Sequence, residues 1–258
     1  MPDFTWLDYT VVDRVAEITM HKPPVNTIDH QLIDEILAAY RLARDDDGVR
    51  ATILTSAFDK AFSGGMDLDM IHGRSSSEVL AFLEKLYGEL NDIQYRLGKP
   101  SIAALNGPTR AGGITLSVTC NCIIASDNVT LGYSEINVGL IPALHFVHLP
   151  RQIGRHKSFE LLFTGDALSA ADAERMGLIN RVVPKGTVMD AARELAQKFA
   201  SKSPTVMRLG RNAFMRTNDW DYRRHIEVMA ETLSLIASTD DAKEGLDAYL
   251  GKRPPSWA

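Results

Sequence analysis

The sequence predicts an α/β fold, and three observations carry the prediction. Short runs rich in β-branched residues, VAEITM (15–20), RATILTS (50–56), SIAAL (101–105) and CIIAS (122–126), alternate with stretches of helical periodicity. Glycines cluster directly after two of these buried-looking runs, at 61–68 and 106–116. Beyond about Pro142 nearly every segment is amphipathic helix, and only INRVVP (179–184) reads as a strand.

Taken in order, the first unit is β, α, β. Asp29 stands where an N-cap belongs, and Leu32, Ile33, Ile36, Leu37 and Tyr40 share one helical face before RATILTS begins. The pattern recurs: Glu78 to Leu97 is helical, SIAAL is a short buried strand, Gly112 to Thr119 can form a buried helix, and CIIAS and VTLGY (129–133) are two further strands. Helices follow at 143–152, 158–162, 170–176, 189–202, 204–215, 222–238 and 242–250. No Ser/Gly-rich linker divides the chain. The expectation is one functional domain, with a core over 1–195 and a C-terminal helical extension over 196–258.

Composition removes several classes of function. The formal charge of -5 comes without a clustered basic stretch, which excludes a nucleic-acid footprint. Cys120 and Cys122 are the two cysteines, too few for a disulfide framework or a four-cysteine metal site. The N-terminus, MPDFTWLDYTVVDR, lacks the basic-then-apolar order of a secretory signal, and no apolar run approaches the ~18 residues of a membrane span. A soluble, cytoplasmic protein is expected.

The two glycine clusters, AFSGGMDL (61–68) and NGPTRAGGITL (106–116), each leave a strand and enter a helix-like segment, where free backbone N–H groups could meet an anion. A phosphate-binding P-loop needs Lys then Ser or Thr after its last glycine, whereas Ile114 and Thr115 follow Gly113. The spacing of Gly107, Gly112 and Gly113 does not fit G-x-G-x-x-G either. Two tight turns with close helix packing remain an alternative reading.

Five ordered motifs decide further. KAFSGGMDL (60–68), KPSIAALNGPTRAGG (99–113), LGYSEINVGLIP (131–142), TGDALSAADAERMGLINRVVP (164–184) and EGLDAYLGKRPP (244–255) resemble the successive motifs of the crotonase superfamily, the enoyl-CoA hydratases and isomerases. The resemblance implies a crotonase-like spiral of ββα units with a helical C-terminal trimerisation region, assembled as a homotrimer or as a hexamer of two trimers. It implies an acyl-CoA thioester as substrate, coenzyme A being its carrier part, with no further cofactor and no metal. By position, the backbone N–H groups of Met66 and Gly112 correspond to the family's oxyanion hole. Charge gathers on the thioester oxygen in the transition state, and one preorganised donor there is worth on the order of 3 kcal/mol.

In the hydratases two carboxylates divide the proton transfers. This chain has Thr115 at the first place and Glu135 at the second. Hydration needs an oriented water as well as a proton, whereas a double-bond shift needs one base that takes a proton at C2 and returns it at C4. The resemblance therefore favours 3-enoyl-CoA to 2-enoyl-CoA isomerisation with Glu135 as the proton shuttle. ALHFVHL (143–149), where hydratases carry a Gly-rich segment, leans the same way. Alternatives are enoyl-CoA hydration, a hydrolase or decarboxylase using His145 or His148, and a catalytically silent acyl-CoA-binding protein.

The same resemblance places coenzyme A along Val25, Gly64, Met66, Asp67 and Leu68, with Lys252 and Arg253 as basic candidates for its phosphates, and with Asp69 where several relatives carry lysine. From the residues alone, a lone glutamate such as Glu135 is usually a surface residue, His145 and His148 share a helix face, and Asp67 and Asp69 read as caps. Arg110 is unusual at a place that is mostly apolar in the family, and could meet solvent, a neighbour or an acidic acyl tail. Phe82, Leu86, Leu140, Leu144 and Phe146 are the candidates for setting pocket width.

Overall fold

The computed structural model describes residues 3–218 and 222–256. It opens with a hairpin of β1 (Leu7–Val12) and β2 (Val15–Met20). Asp13 and Arg14 turn it with φ of 48° and 69°, the left-handed pair that closes a two-residue hairpin without any glycine to announce it. Then come β3 (Thr27–Ile28), α1 (His30–Asp45), β4 (Ala51–Ser56), β5 (Gly65–Met66), α2 (Ser76–Leu83), a π-turn at Glu84–Glu89 and α3 (Leu90–Arg96). The third turn is β6 (Ser101–Leu105), β7 (Thr109–Arg110) and α4 (Gly112–Val118). The fourth is β8 (Cys122–Ser126), β9 (Thr130–Gly132), a 3-10 turn at Ser134–Val138, α5 (Ala143–Ile153), α6 (Arg155–Thr164), β10 (Ala167–Ser169) and α7 (Ala170–Arg175). The chain continues through β11 (Arg181–Val183), α8 (Val188–Ala200), α9 (Pro204–Asn218), α10 (Tyr222–Ala237) and α11 (Asp240–Leu250).

The expected spiral follows from the pairing. One strand of each turn joins a six-stranded sheet in the order β1-β2-β4-β6-β8-β11, parallel except for β1. The second strand of each turn goes elsewhere: β3 pairs with β5, a bridge from Ser63 to Thr109 leads on to β7, and β7, β9 and β10 form a small sheet. β10 corrects the expectation of a single strand after Pro142; its three residues are too few to show a period against the helices around them.

Every residue of β4 and β6 is buried, as befits parallel strands covered on both faces. Side chains alternate between two cores. Ala51, Ile53, Ile102, Ala104 and Ile124 meet Val188, Ala192 and Ala196 of α8, while Leu54, Ala103, Leu105 and Ala125 face the larger core with Ile33, Ile36 and Tyr40 of α1. α8 runs through residue 195 and covers a sheet face. α10 returns to pack on α2 and α5, and α11 packs on the 134–138 turn. Among the described residues, no helix is long and apolar enough to cross a membrane.

Candidate active site

The two glycine loops are zipped together at the C-terminal ends of β4 and β6. Phe62 N–H donates to the Pro108 carbonyl, Arg110 N–H to the Ser63 carbonyl, and Asn106 Nδ2 to the Ser56 carbonyl. A methyl on Gly107 would lie 2.8 Å from the Ala61 backbone, and one on Gly113 would lie 2.8 Å from Ser63 Cβ. Close packing of the loops, left open by the sequence, is thus part of their design. It also brings the two proposed donors together: a methyl on Gly112 would lie 3.2 Å from the Met66 amide nitrogen.

Both donors are turned away from other bonds by the local backbone. In the β3–β5 ladder Asp67 N–H donates to the Ile28 carbonyl, so the neighbouring Met66 N–H points to the strand's other side. Gly112 is the first residue of α4, where N–H groups have no intrahelical acceptor. Before it Ala111 holds φ 46° and ψ −118°, fixed by its own N–H bond to the Gly132 carbonyl. That conformation costs a non-glycine residue roughly 1–3 kcal/mol.

Glu135 sits in the 134–138 turn, which the fold clamps from behind. Leu140 N–H donates to the Glu135 carbonyl, and Gly139 (φ 75°) ends the turn against α11. A methyl on Gly245 of α11 would lie 2.5 Å from the Val138 carbonyl, and one on Gly139 would lie 2.7 Å from the Asp241 carbonyl. Both glycines are therefore fixed by contact with opposing backbone.

The surface-glutamate reading of Glu135 is overturned by its surroundings. Part of the residue touches solvent, but Oε2 is sealed from it and has no hydrogen-bond partner. Burial pushes its carboxyl up to about 7, against a smaller opposing pull from its own backbone N–H. Its charge is felt by the hydroxyls of Tyr133 and of Tyr87 on the π-turn, both held well above the ordinary phenol range, mainly by burial.

Thr115 stands nearly one turn along α4 from Gly112, buried, with Oγ1 3.4 Å from His145 Nε2. The His145 ring meets the Tyr133 ring edge-on at 4.7 Å and the His148 ring at 6.2 Å. His145 and His148 share the inner face of α5, as their spacing predicts. Burial holds both neutral, His145 down to about 3 with His148 adding to the effect, and His148 down to about 4 with Arg151 adding to it.

Of the remaining candidates, Val25 lies against the first loop: Gly64 N–H donates to its carbonyl, and a methyl on Gly64 would lie 2.9 Å from Val25 Cγ2. Asp67 caps the short turn at Leu68–Met70 by accepting from Asp69 N–H, and Leu68 packs on the core edge. Lys252 lies exposed in the turn after α11 with φ 51°, whereas Arg253 is held by Glu244 at 2.6 Å. Arg110 is engaged by its own neighbours: it donates to the Thr130 carbonyl and hydroxyl and packs under Gly132. Phe82, Leu86, Leu140 and Leu144 are buried, while Phe146 stacks outward on Phe163 of α6.

Three participants escaped the sequence reading. Asn26 (φ 52°) is fully buried and donates to Ser56 Oγ and the Phe62 carbonyl, while its own carbonyl accepts from Ser63 Oγ. Ser63 Oγ also accepts from Gly65 N–H. The Pro-Pro-Val-Asn turn is thereby tied to the first glycine loop; a turn-forming Asn after two prolines was the available signal. Tyr133, the third, is silent in sequence because nothing in VTLGYSE separates a core tyrosine from a pocket tyrosine.

Known proteins resemble this chain along nearly its whole length. The sequence profile of the enoyl-CoA hydratase/isomerase family matches residues 11–258. A probable mitochondrial enoyl-CoA hydratase of Dictyostelium discoideum is 32% identical over 246 residues, covering 95% of this chain and 87% of its own. A crotonyl-CoA hydratase of Syntrophomonas wolfei is 31% identical, covering 95% of both chains. The crystal structure of a probable enoyl-CoA hydratase from Mycobacterium smegmatis superposes with a TM-score of 0.83 at 30% identity, covering 97% of this chain and 99% of that one.

Proposed function

The chain belongs to the enoyl-CoA hydratase/isomerase family, and on that premise we propose that this acyl-CoA enzyme moves a double bond from C3–C4 to C2–C3 of an enoyl thioester, with Glu135 carrying the proton. The observation that carries this reading is the single carboxylate: Thr115, bonded towards His145, fills the place of a second one.

The thioester oxygen is held by the N–H groups of Met66 and Gly112. Ionised Glu135 takes a proton from C2, the electrons pass through C2 and C1 onto that oxygen, and the two donors stabilise the enolate. Return of the same proton to C4 forms C2=C3 as C3=C4 is lost. A carboxyl pushed to about 7 is well matched to both halves at neutral pH. Val25, Gly64, Asp67 and Leu68 line the path of coenzyme A, and Lys252 serves its phosphates.

Assayed with a 3-enoyl-CoA, Glu135→Gln is expected to lose roughly 10²–10⁴ of kcat, the usual worth of a positioned acid–base group. In the unaltered enzyme kcat/KM should rise with pH through about 7, as the carboxylate forms. Undiminished isomerisation by the Gln variant would sink the mechanism.

Hydration is the second reading, favoured by the hydratase names of the relatives and by the Thr115–His145 pair, which could hold a water. Rapid formation of 3-hydroxyacyl-CoA from a 2-enoyl-CoA, with no double-bond migration, would replace the first reading by this one.

A further inference from the structure

Among the described residues, four buried polar atoms without a hydrogen-bond partner gather between the 134–138 turn and α5: the Tyr133 hydroxyl, Glu135 Oε2, His145 Nδ1 and His148 Nδ1. Tyr133, His145 and His148 are 0%, 1% and 7% exposed. The ring contacts at 4.7 and 6.2 Å link them in one file, and the file starts at Glu135, whose charge reaches Tyr133. At its far end His148 forms part of the wall of a cavity of about 420 Å³, shared with Gln94, Asn121, Gln152 and Phe214.

The isomerisation uses Glu135 and gives Tyr133, His145 and His148 no step of their own. An alkyl tail laid along them would leave each polar atom unsatisfied, at a desolvation cost that Leu or Phe in its place would not carry. The chemistry of the file narrows the ligand. Two neutral imidazoles and a phenol both donate and accept hydrogen bonds; Glu135 at the near end would repel a carboxylate, and Arg151, the cation that acts on His148, stands at the far end on the cavity wall.

We propose that the acyl group taken by this site carries a hydroxyl or keto oxygen a few carbons beyond the thioester, bound by Tyr133, His145 and His148, in place of a plain alkyl tail. The inference rests on the acyl-CoA reading of the site.

Calorimetric titration of the full chain with unreactive saturated thioesters of one length tests it: hexanoyl-CoA against 5-oxohexanoyl-CoA and 6-hydroxyhexanoyl-CoA. At least one oxygenated thioester should bind about tenfold or more tighter than hexanoyl-CoA. Tyr133→Phe, which removes a single unsatisfied oxygen and threatens no packing, should shrink that ratio while leaving hexanoyl-CoA binding unchanged or tighter. His148→Phe should do the same. Hexanoyl-CoA binding as tightly as both oxygenated forms, or an equal loss for all three in Tyr133→Phe, would overturn the proposal and make the file a seat for fixed waters. Failure of all three thioesters to bind would instead overturn the acyl-CoA reading itself.

Discussion

With its carboxyl pushed from 4.5 to about 7, Glu135 is ionised at neutral pH against the preference of the fold. A folded value above the unfolded one means that the stabilisation is complete below pH 4.5 and is lost as pH rises through 7. Glu135→Gln should therefore match the unaltered protein near pH 4.5 in chemical denaturation. At pH 8 it should be more stable, by at most about 3 kcal/mol, even as activity collapses. Gly112 makes the complementary case. Its backbone is helical, so Ala is conformationally acceptable there, yet the added methyl would press on the Met66 nitrogen at 3.2 Å and on Ile28 Cδ1 at 3.3 Å. Gly112→Ala should fold, as circular dichroism would show, and lose roughly 10–100-fold in kcat as the two donors part.

At the scale of the element, α5 carries a histidine pair that is neutral when folded and protonated when unfolded in acid. Because both folded values lie below 6.5, the stabilisation they provide is full above pH 6.5 and is lost as pH falls through 4 and then 3. Acid unfolding should start on this helix, and His145→Gln with His148→Gln should move the acid midpoint downward in a fluorescence-monitored titration. How far each element could be read in advance follows from how its information is stored. α1, β4, β6 and α8 announce themselves because their periodicity is their packing. The β1–β2 turn stays silent because Asp13 and Arg14 adopt left-handed angles that glycine would have signalled. Glu135 was singled out by the family resemblance, which expects a carboxylate at that distance from the glycine loops. Its burial was not legible in the sequence, since Tyr87 and α11 reach it from two distant parts of the chain.

Across the whole molecule, α9 and α10 leave Val206, Leu209, Phe214 and Leu235 at least 60% exposed, an apolar surface that none of the described residues covers. These helices belong to the region for which the sequence suggests a homotrimer or hexamer. Leu209→Lys with Phe214→Lys should lower the mass measured by light scattering if this surface carries the assembly; an unchanged mass would place the contact elsewhere. A different consequence follows from Gly245, the point where α11 leans on the Val138 carbonyl. The spiral of strands is laid down in chain order, and each turn can close on the one before it as the polypeptide emerges. The brace behind Glu135 comes from residues 240–250, about a hundred residues further along the chain. A chain made only as far as β11 can thus hold its sheet strands and both glycine loops while its base still lacks backing, so competence for chemistry waits on the helices that follow.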